Sequence, residues 1–153
     1  MDRTFVPPDP DFARRVLASF GRQALMRLLG ARMTRVEPGL VEVELPYRED
    51  LTQQHGFVHA GVTSAIADSA GGYAAYTLFP ADTSVLTVEF KVNLLAPADG
   101  ERLVATGRVV RPGRTLTVCD LEVVALKDGA ATPCARGLST VIRLDRPDVQ
   151  PAR

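Results

Sequence analysis

The chain has 153 residues, of which 46% are hydrophobic, and it carries 18 basic and 18 acidic side chains. A chain of this length fits one domain with a buried core, and its zero formal net charge argues against a surface built as a whole for nucleic acid or a membrane. No apolar run reaches the roughly 18–20 residues that span a bilayer, and the N-terminus lacks the apolar segment of a signal peptide, so we expect a cytoplasmic protein.

The N-terminal part of the chain predicts a short arm followed by one helix. Residues 1–8 form the arm, and Asp9-Pro10 is typical of a helix start, because aspartate caps a helix and proline suits the first helical position. Apolar residues then recur at helical spacing as far as Leu29, and Gly30 is expected to end the helix.

Alternating residues and turn signals predict that most of the remaining chain forms strands. The turns contain Pro, Gly or Asp, as in Glu37-Pro38-Gly39. The predicted strands cover residues 32–36, 40–47, 84–95, 102–111, 115–126 and 132–144. A polar loop over residues 48–58 precedes a long helix from about Ala60 to Leu78, and residues 145–153 form a tail.

This order of elements predicts an α+β fold in a single domain over residues 9–144, with one antiparallel sheet and one dominant helix. The long helix is rich in Gly, Ala and Ser, which gives it weak intrinsic helix propensity. Its small residues make sense if the sheet curves around the helix and other backbone comes close to it. We expect that approach along the stripe Gly61, Ala65, Asp68 and Gly72, and we expect Tyr73, on the other stripe, to lie in the core.

The segment from His55 to Asp68 holds the most informative motif. Two histidines precede Gly61 at the start of the helix, and Asp68 follows two turns later. A helix N-terminus offers free N–H groups that can hold a developing oxyanion, and a carboxylate close by can act as base or nucleophile. These parts suggest attack on a polarised carbonyl group.

Cysteine and histidine usage argues against a metal site. Cys119 and Cys134 lie in strand-like runs without a CxxC pair, so we expect two buried, reduced thiols. His55 and His59 are the only histidines, whereas a zinc site usually recruits three or four ligands at a recognisable spacing.

Over residues 35–144 the sequence resembles the hotdog-fold, PaaI-like acyl-CoA thioesterases. That family has a His-Gly-Gly turn with an Asp nine positions after the His, and His59 and Asp68 keep this interval. The family also has an Asn six positions before the His, where this chain has Gln53. A Ser or Thr follows in the strand after the helix, before a Pro turn, and Thr87 fits that pattern.

The resemblance implies a fold, a reaction and a set of roles. The fold would be a hotdog, and the reaction hydrolysis of an acyl-CoA thioester without a cofactor. Backbone N–H groups near Ala60 and Gly61 would hold the thioester carbonyl, and Asp68 of the partner subunit would activate water or attack directly. Thr87 would place the water. Family members are at least homodimers, and a dimer of dimers is left open.

Two positions depart from the family pattern. Ala60 replaces the first glycine of the turn, and we expect negative φ there, because alanine disfavours positive φ. Gln53 is one methylene longer than Asn, so its amide would reach further or fold back. Gln53 and His59 would orient the thioester.

Three further residues have two interpretations each. His55 either contacts substrate or orders its loop. Arg111 and Arg114 flank a Pro-Gly turn, so they either grip the phosphates of coenzyme A or form a solvated hairpin tip.

Two other functions compete with the thioesterase. One is a hotdog dehydratase of 3-hydroxyacyl thioesters, which the interval from His59 to Asp68 argues against. The other is a non-enzymatic acyl-CoA binding module. Hotdog regulators of that type resemble fusions with a DNA-binding domain, and residues 1–30 predict no helix-turn-helix, so we expect no nucleic-acid partner.

Overall fold

A computed structural model describes residues 4–148 as one six-stranded antiparallel sheet that packs against a long helix. The helices are α1 (Phe12–Arg22), α2 (Ala24–Leu29) and α3 (Ala60–Tyr76), with a 3-10 turn over Glu49–Leu51. The strands are β1 (Arg32–Glu37), β2 (Leu40–Pro46), β3 (Ser84–Leu94), β4 (Arg102–Arg111), β5 (Leu116–Lys127) and β6 (Ala130–Leu144). The sheet order is β1-β2-β4-β5-β6-β3, which confirms the predicted α+β hotdog architecture.

The predicted N-terminal helix is wrong in two respects. The observed helix begins at Phe12, whereas the prediction began it at Pro10. The Asp9 side chain accepts a hydrogen bond from the Asp11 N–H at 2.9 Å, and this contact forms a turn before the helix. The helix is also interrupted at Gln23, whose extended backbone separates α1 from α2. Gly30 ends α2 in the left-handed conformation at φ 74°, as predicted.

Strand β4 comes close to the backbone of α3. A Cβ atom added at Gly107 would lie 2.3 Å from the carbonyl carbon of Ala70, so the strand passes directly against the helix backbone. The sheet of the same chain covers the face of α3 opposite to most of the predicted stripe. Gly72 is buried, whereas Gly61 is exposed and Ala65 and Asp68 are only partly buried. Approach of backbone from a second chain along this stripe stays a prediction.

Buried and exposed residues alternate along the strands, and the buried side chains form the face of the sheet that packs against α3. The buried side chains of β5 are Thr117, Cys119, Leu121, Val123 and Ala125. Cys119 and Cys134 are buried free thiols, as predicted, and burial raises the pKa of Cys119 to about 12. Tyr73 is a core residue, as predicted, and its hydroxyl lies 3.1 Å from Ser19 Oγ.

Strand β3 forms one edge of the sheet and exposes apolar side chains. Phe90 is 46% exposed and Leu94 is 57% exposed, although both are in register with buried or half-buried residues of β6. The register shifts between Thr87 and Glu89, which marks a β-bulge around Val88. A long edge strand with exposed apolar residues favours pairing with another chain.

Within residues 4–148, no helix combines the length and the hydropathy needed to cross a bilayer.

Candidate active site

Asp68 and Thr87 form the chemical centre of the candidate site. Asp68 lies in the middle of α3, and the Thr87 hydroxyl donates a hydrogen bond of 2.7 Å to its Oδ1. The bulge that follows Thr87 lies beside this contact, and bulges are commonly found where a strand presents a side chain to an active site. Gly72, one turn further along α3, leaves room beside Thr87, since an added Cβ would lie 3.9 Å from Thr87 Oγ1.

A cleft of about 420 Å³ opens beside this pair, and we call it the Thr87 cleft. Its walls include Ser19, Gln23, Asp68, Tyr73, Val85 and Thr87. Burial raises the pKa of the Asp68 carboxyl above its ordinary value, and the hydrogen bond from Thr87 opposes part of that rise. A half-buried carboxylate with a raised pKa is suited to accepting a proton during a reaction.

The N-terminus of α3 holds the second group of predicted residues. His59 is the N-cap, and its Nδ1 accepts the Gly61 N–H at 2.8 Å. In the neutral ring the proton is therefore on Nε2, and the residue as a whole is exposed. The Gly61 donor is occupied, so of the two predicted N–H groups it is Ala60 that has no partner among residues 4–148. Ala60 is the first helical residue and does not have positive φ, which confirms the expected negative φ.

The loop before α3 folds back on itself. The Gln53 side-chain oxygen accepts a hydrogen bond from the backbone N–H of His55, so of the two predicted outcomes the amide folds back. Its Nε2 group has no acceptor among residues 4–148 and could donate to a ligand. Gln53, Ala60, Thr63 and Leu94 line a cleft of about 280 Å³, which we call the loop cleft. His55 is exposed.

One chain does not bring the two groups together. Ala60 and Asp68 are eight residues apart on α3, which corresponds to about 12 Å along the helix axis. The Thr87 cleft and the loop cleft share no residue. Asp68 in one protomer is thus too far from Ala60 of the same protomer for both to act on one carbonyl group.

Arg111 and Arg114 lie at the other end of the sheet from the α3 N-terminus. The segment before β4 lies beside the start of α3, where the Val58 N–H donates to the Ala98 carbonyl at 3.1 Å. Arg111 is at the far end of β4, about 30 Å away at 3.3 Å per residue. Both arginines are exposed at the tip between β4 and β5, away from both clefts of the same chain.

Two polar residues of the cleft carry no signal in the sequence. Gln23 reaches α3 from the break between α1 and α2, and the Ser69 hydroxyl donates to its Oε1 at 3.1 Å. Both residues lie beside Asp68.

Among residues 4–148, no cluster of three or more His, Cys, Asp or Glu side chains could hold a metal ion.

Comparisons with known proteins identify the family. A model of the Thioesterase superfamily matches residues 55–132, and the chain belongs to that superfamily. A solved thioesterase family protein from Silicibacter pomeroyi is 50% identical and superposes with a TM-score of 0.86 over 87% of this chain and 98% of that one. The protein is thus a thioester hydrolase, and its fold is the PaaI-like hotdog.

Two further proteins are more distantly similar. The PaaI protein of E. coli, at 19% identity, shares the fold with a TM-score of 0.78 over 90% of this chain and 96% of its own. The 1,4-dihydroxy-2-naphthoyl-CoA hydrolase of Listeria monocytogenes is 26% identical over 99 residues, which is 65% of this chain and 80% of that protein.

Proposed function

We propose that the protein hydrolyses acyl-CoA thioesters, with Asp68 as the catalytic carboxylate and Thr87 as the residue that places the water. The observation that carries the proposal is the 2.7 Å hydrogen bond from Thr87 to a half-buried Asp68 with a raised pKa at the wall of an open cleft. The hydroxyl fixes one carboxylate oxygen, which leaves the other free to take a proton from water.

The chemical step needs only groups of the protein and one water molecule. Ionised Asp68 takes a proton from the water held at Thr87, and the water oxygen bonds to the thioester carbonyl carbon. The carbon–sulfur bond of the tetrahedral intermediate then breaks, and the proton on Asp68 passes to the coenzyme A thiolate. The products are the free acid and the thiol. In the alternative form of this step, Asp68 attacks the carbonyl carbon directly and water opens the resulting anhydride.

The carbonyl oxygen would be held at the N-terminus of α3. The Ala60 N–H has no partner in the described part of the chain and lies at the positive end of the helix dipole, which favours a developing oxyanion. His59 Nε2 and the free amide group of Gln53 would orient the thioester. Since these donors are about 12 Å from Asp68 of the same chain, we propose that each site combines Asp68 with Ala60 of the partner subunit.

The homodimer would form along the exposed edge of β3. Phe90 and Leu94 lie on the helix-facing side of that strand but remain about half exposed. A second chain on this edge would cover them and bring its own α3 beside the first. Association of two dimers is a further possibility of the same fold.

Coenzyme A is proposed as the thiol carrier because a relative in the superfamily is named for the hydrolysis of a CoA thioester. Arg111 and Arg114 are solvent-exposed cations that could bind its phosphates. In a dimer they would serve the partner's site, since they lie far from both clefts of their own chain. We propose a cytoplasmic location for the protein.

The test is release of free thiol from a panel of acyl-CoAs. We expect turnover by the wild type and a loss of about 10²–10⁴ in kcat for Asp68→Asn. The control Asp82→Asn changes an exposed aspartate and should keep the wild-type kcat. A tightly bound acyl-CoA without thiol release would point to the binding module instead. Label found in Asp68 after a single turnover in ¹⁸O-water would show direct attack, with water opening the anhydride at the Asp68 carbonyl.

A further inference from the structure

Gln23 occupies an unusual position for a glutamine, between two helices that follow one another without a turn. Its φ of −68° and ψ of 105° interrupt the helical run, and no proline is near. The backbone on both sides remains hydrogen-bonded, since the Gln23 N–H donates to Phe20 and its carbonyl accepts from Arg27. At this break the Gln23 side chain reaches α3, where its Oε1 accepts a hydrogen bond from Ser69.

The side chain reaches α3 next to the catalytic carboxylate. Ser69, the neighbour of Asp68 in sequence, is 7% exposed and donates a 3.1 Å hydrogen bond to Gln23 Oε1. This bond fixes the orientation of the amide. The Nε2 group, with two donor hydrogens, has no acceptor in the described part of the chain.

Gln23 also separates two openings beside Asp68. The Thr87 cleft lies on one side, and a cleft of about 300 Å³ beside α2 lies on the other. Gln23, Asp68 and Ser69 line both. An acyl group whose carbonyl carbon is within reach of Asp68 can extend along either cleft, and in both clefts it passes the Gln23 amide.

We propose that Gln23 determines acyl-group specificity by donating a hydrogen bond from Nε2 to an oxygen on the acyl chain. The preferred substrates are then thioesters whose acyl group carries a hydroxyl, ether or carbonyl oxygen beyond the thioester. An all-hydrocarbon acyl group leaves the amide without a partner once water is displaced, and such a site discriminates against a substrate that lacks the acceptor. This inference rests on the proposed acyl-CoA thioesterase function.

The experiment compares substrates of equal shape. Heptanoyl-CoA is matched with analogues in which one chain CH₂, at the γ, δ or ε position, is an ether oxygen. The ratio of kcat/KM for each analogue to that for heptanoyl-CoA is measured for the wild type and for Gln23→Met, which keeps side-chain length and removes both donors. Within one variant this ratio does not depend on the amount of folded enzyme. Dividing the wild-type ratio by the Gln23→Met ratio cancels the difference in intrinsic reactivity between the two thioesters.

We expect the wild type to favour one analogue about 10-fold and Gln23→Met to remove that preference while it retains turnover of heptanoyl-CoA. Ser69→Ala, which frees the amide without deleting it, should reduce the preference partly and is the second test if Gln23→Met does not fold. Equal ratios in wild type and Gln23→Met overturn the role of Gln23 but not the thioesterase. Absence of thiol release from every substrate overturns both.

Discussion

His59 caps α3 with its own ring, because Nδ1 accepts the Gly61 N–H at 2.8 Å. The glycine makes this possible, since a Cβ at position 61 would lie 3.0 Å from that nitrogen. The same histidine therefore holds the start of the helix with one ring nitrogen and presents a donor with the other. Stability and catalysis can be separated at this residue.

His59→Ser tests that separation against His59→Ala. Serine is a good N-cap but cannot supply the Nε2 N–H, so His59→Ser should keep wild-type stability and lose catalytic rate. His59→Ala should lose the rate and also about 1 kcal/mol of unfolding free energy. Denaturant unfolding and kcat on one acyl-CoA measure the two effects. Full activity in His59→Ser would remove the histidine from the reaction.

The fold could largely be predicted from the sequence because its signals are local. Gly39 and Gly129 supply positive φ at two hairpin turns, and regular alternation marks the strands between them, so predicted strand ends lie within two residues of those observed. The break at Gln23 has no such signal, because glutamine favours a helix and the interruption depends on packing of α2 and on the bond to Ser69.

The candidate site depended on tertiary contacts and was only partly predictable. Thr87 is an ordinary strand residue in its local sequence, and its contact with Asp68 joins positions 19 residues apart. The family resemblance singled out both residues, but the local pattern singled out only Asp68. Helix periodicity alone does not say which small-residue face of α3 meets the sheet of the same chain, and the sheet meets the face that holds Ala70.

The raised pKa of Asp68 predicts a pH-dependent difference in stability between wild type and Asp68→Asn. The folded protein keeps the Asp68 proton to a higher pH than the unfolded chain, whose value is near 3.8. Between these two pKa values the folded state binds more protons, so its unfolding free energy falls as pH rises. Asparagine carries no charge, so Asp68→Asn should become more stable than wild type above that window.

Thermal unfolding of both proteins from acid to neutral pH measures this difference. The melting temperatures should converge near the ordinary aspartate pKa and separate as pH rises, with the variant higher. A wild type that gains stability relative to Asp68→Asn with rising pH would show that the fold favours the ionised carboxylate. On the activity side, wild-type kcat should fall as pH drops through the raised pKa, since the base must be ionised.

Ala60→Gly should leave catalysis nearly unchanged. Ala60 has negative φ at the first position of α3, so glycine relieves no strain and only increases the freedom of the unfolded chain. We expect a loss of roughly 0.4–1 kcal/mol in unfolding free energy and a kcat close to wild type. An upward thermal shift together with a several-fold gain in kcat would contradict the assigned backbone conformation.

Gly107→Ala should be severely destabilising. The new methyl group would lie 2.3 Å from backbone atoms of Ala70, and neither the strand nor the helix backbone can move without breaking its hydrogen bonds. We expect a loss of about 3 kcal/mol or more, or no folded protein. Gly21→Ala is the matched control, since an added Cβ in α1 meets nothing within 4 Å and should raise stability by roughly 0.5–1 kcal/mol. Equal behaviour of the two variants would mean that β4 does not pack on α3 as described.

The exposed edge of β3 leads us to predict that the protein is active only as a dimer. If the site combines Asp68 with Ala60 of the partner subunit, a monomer is inactive even when it is folded. Phe90 is 46% exposed on the edge proposed to pair, so Phe90→Lys should shift the dimer toward monomer and lower activity in proportion. Val6→Lys, at an apolar residue that is 88% exposed elsewhere, should change neither. Light scattering at micromolar concentration and thiol release from the same samples give both readings. A stable wild-type monomer would rule out the dimer, and a fully active Phe90→Lys monomer would show that one chain completes the site.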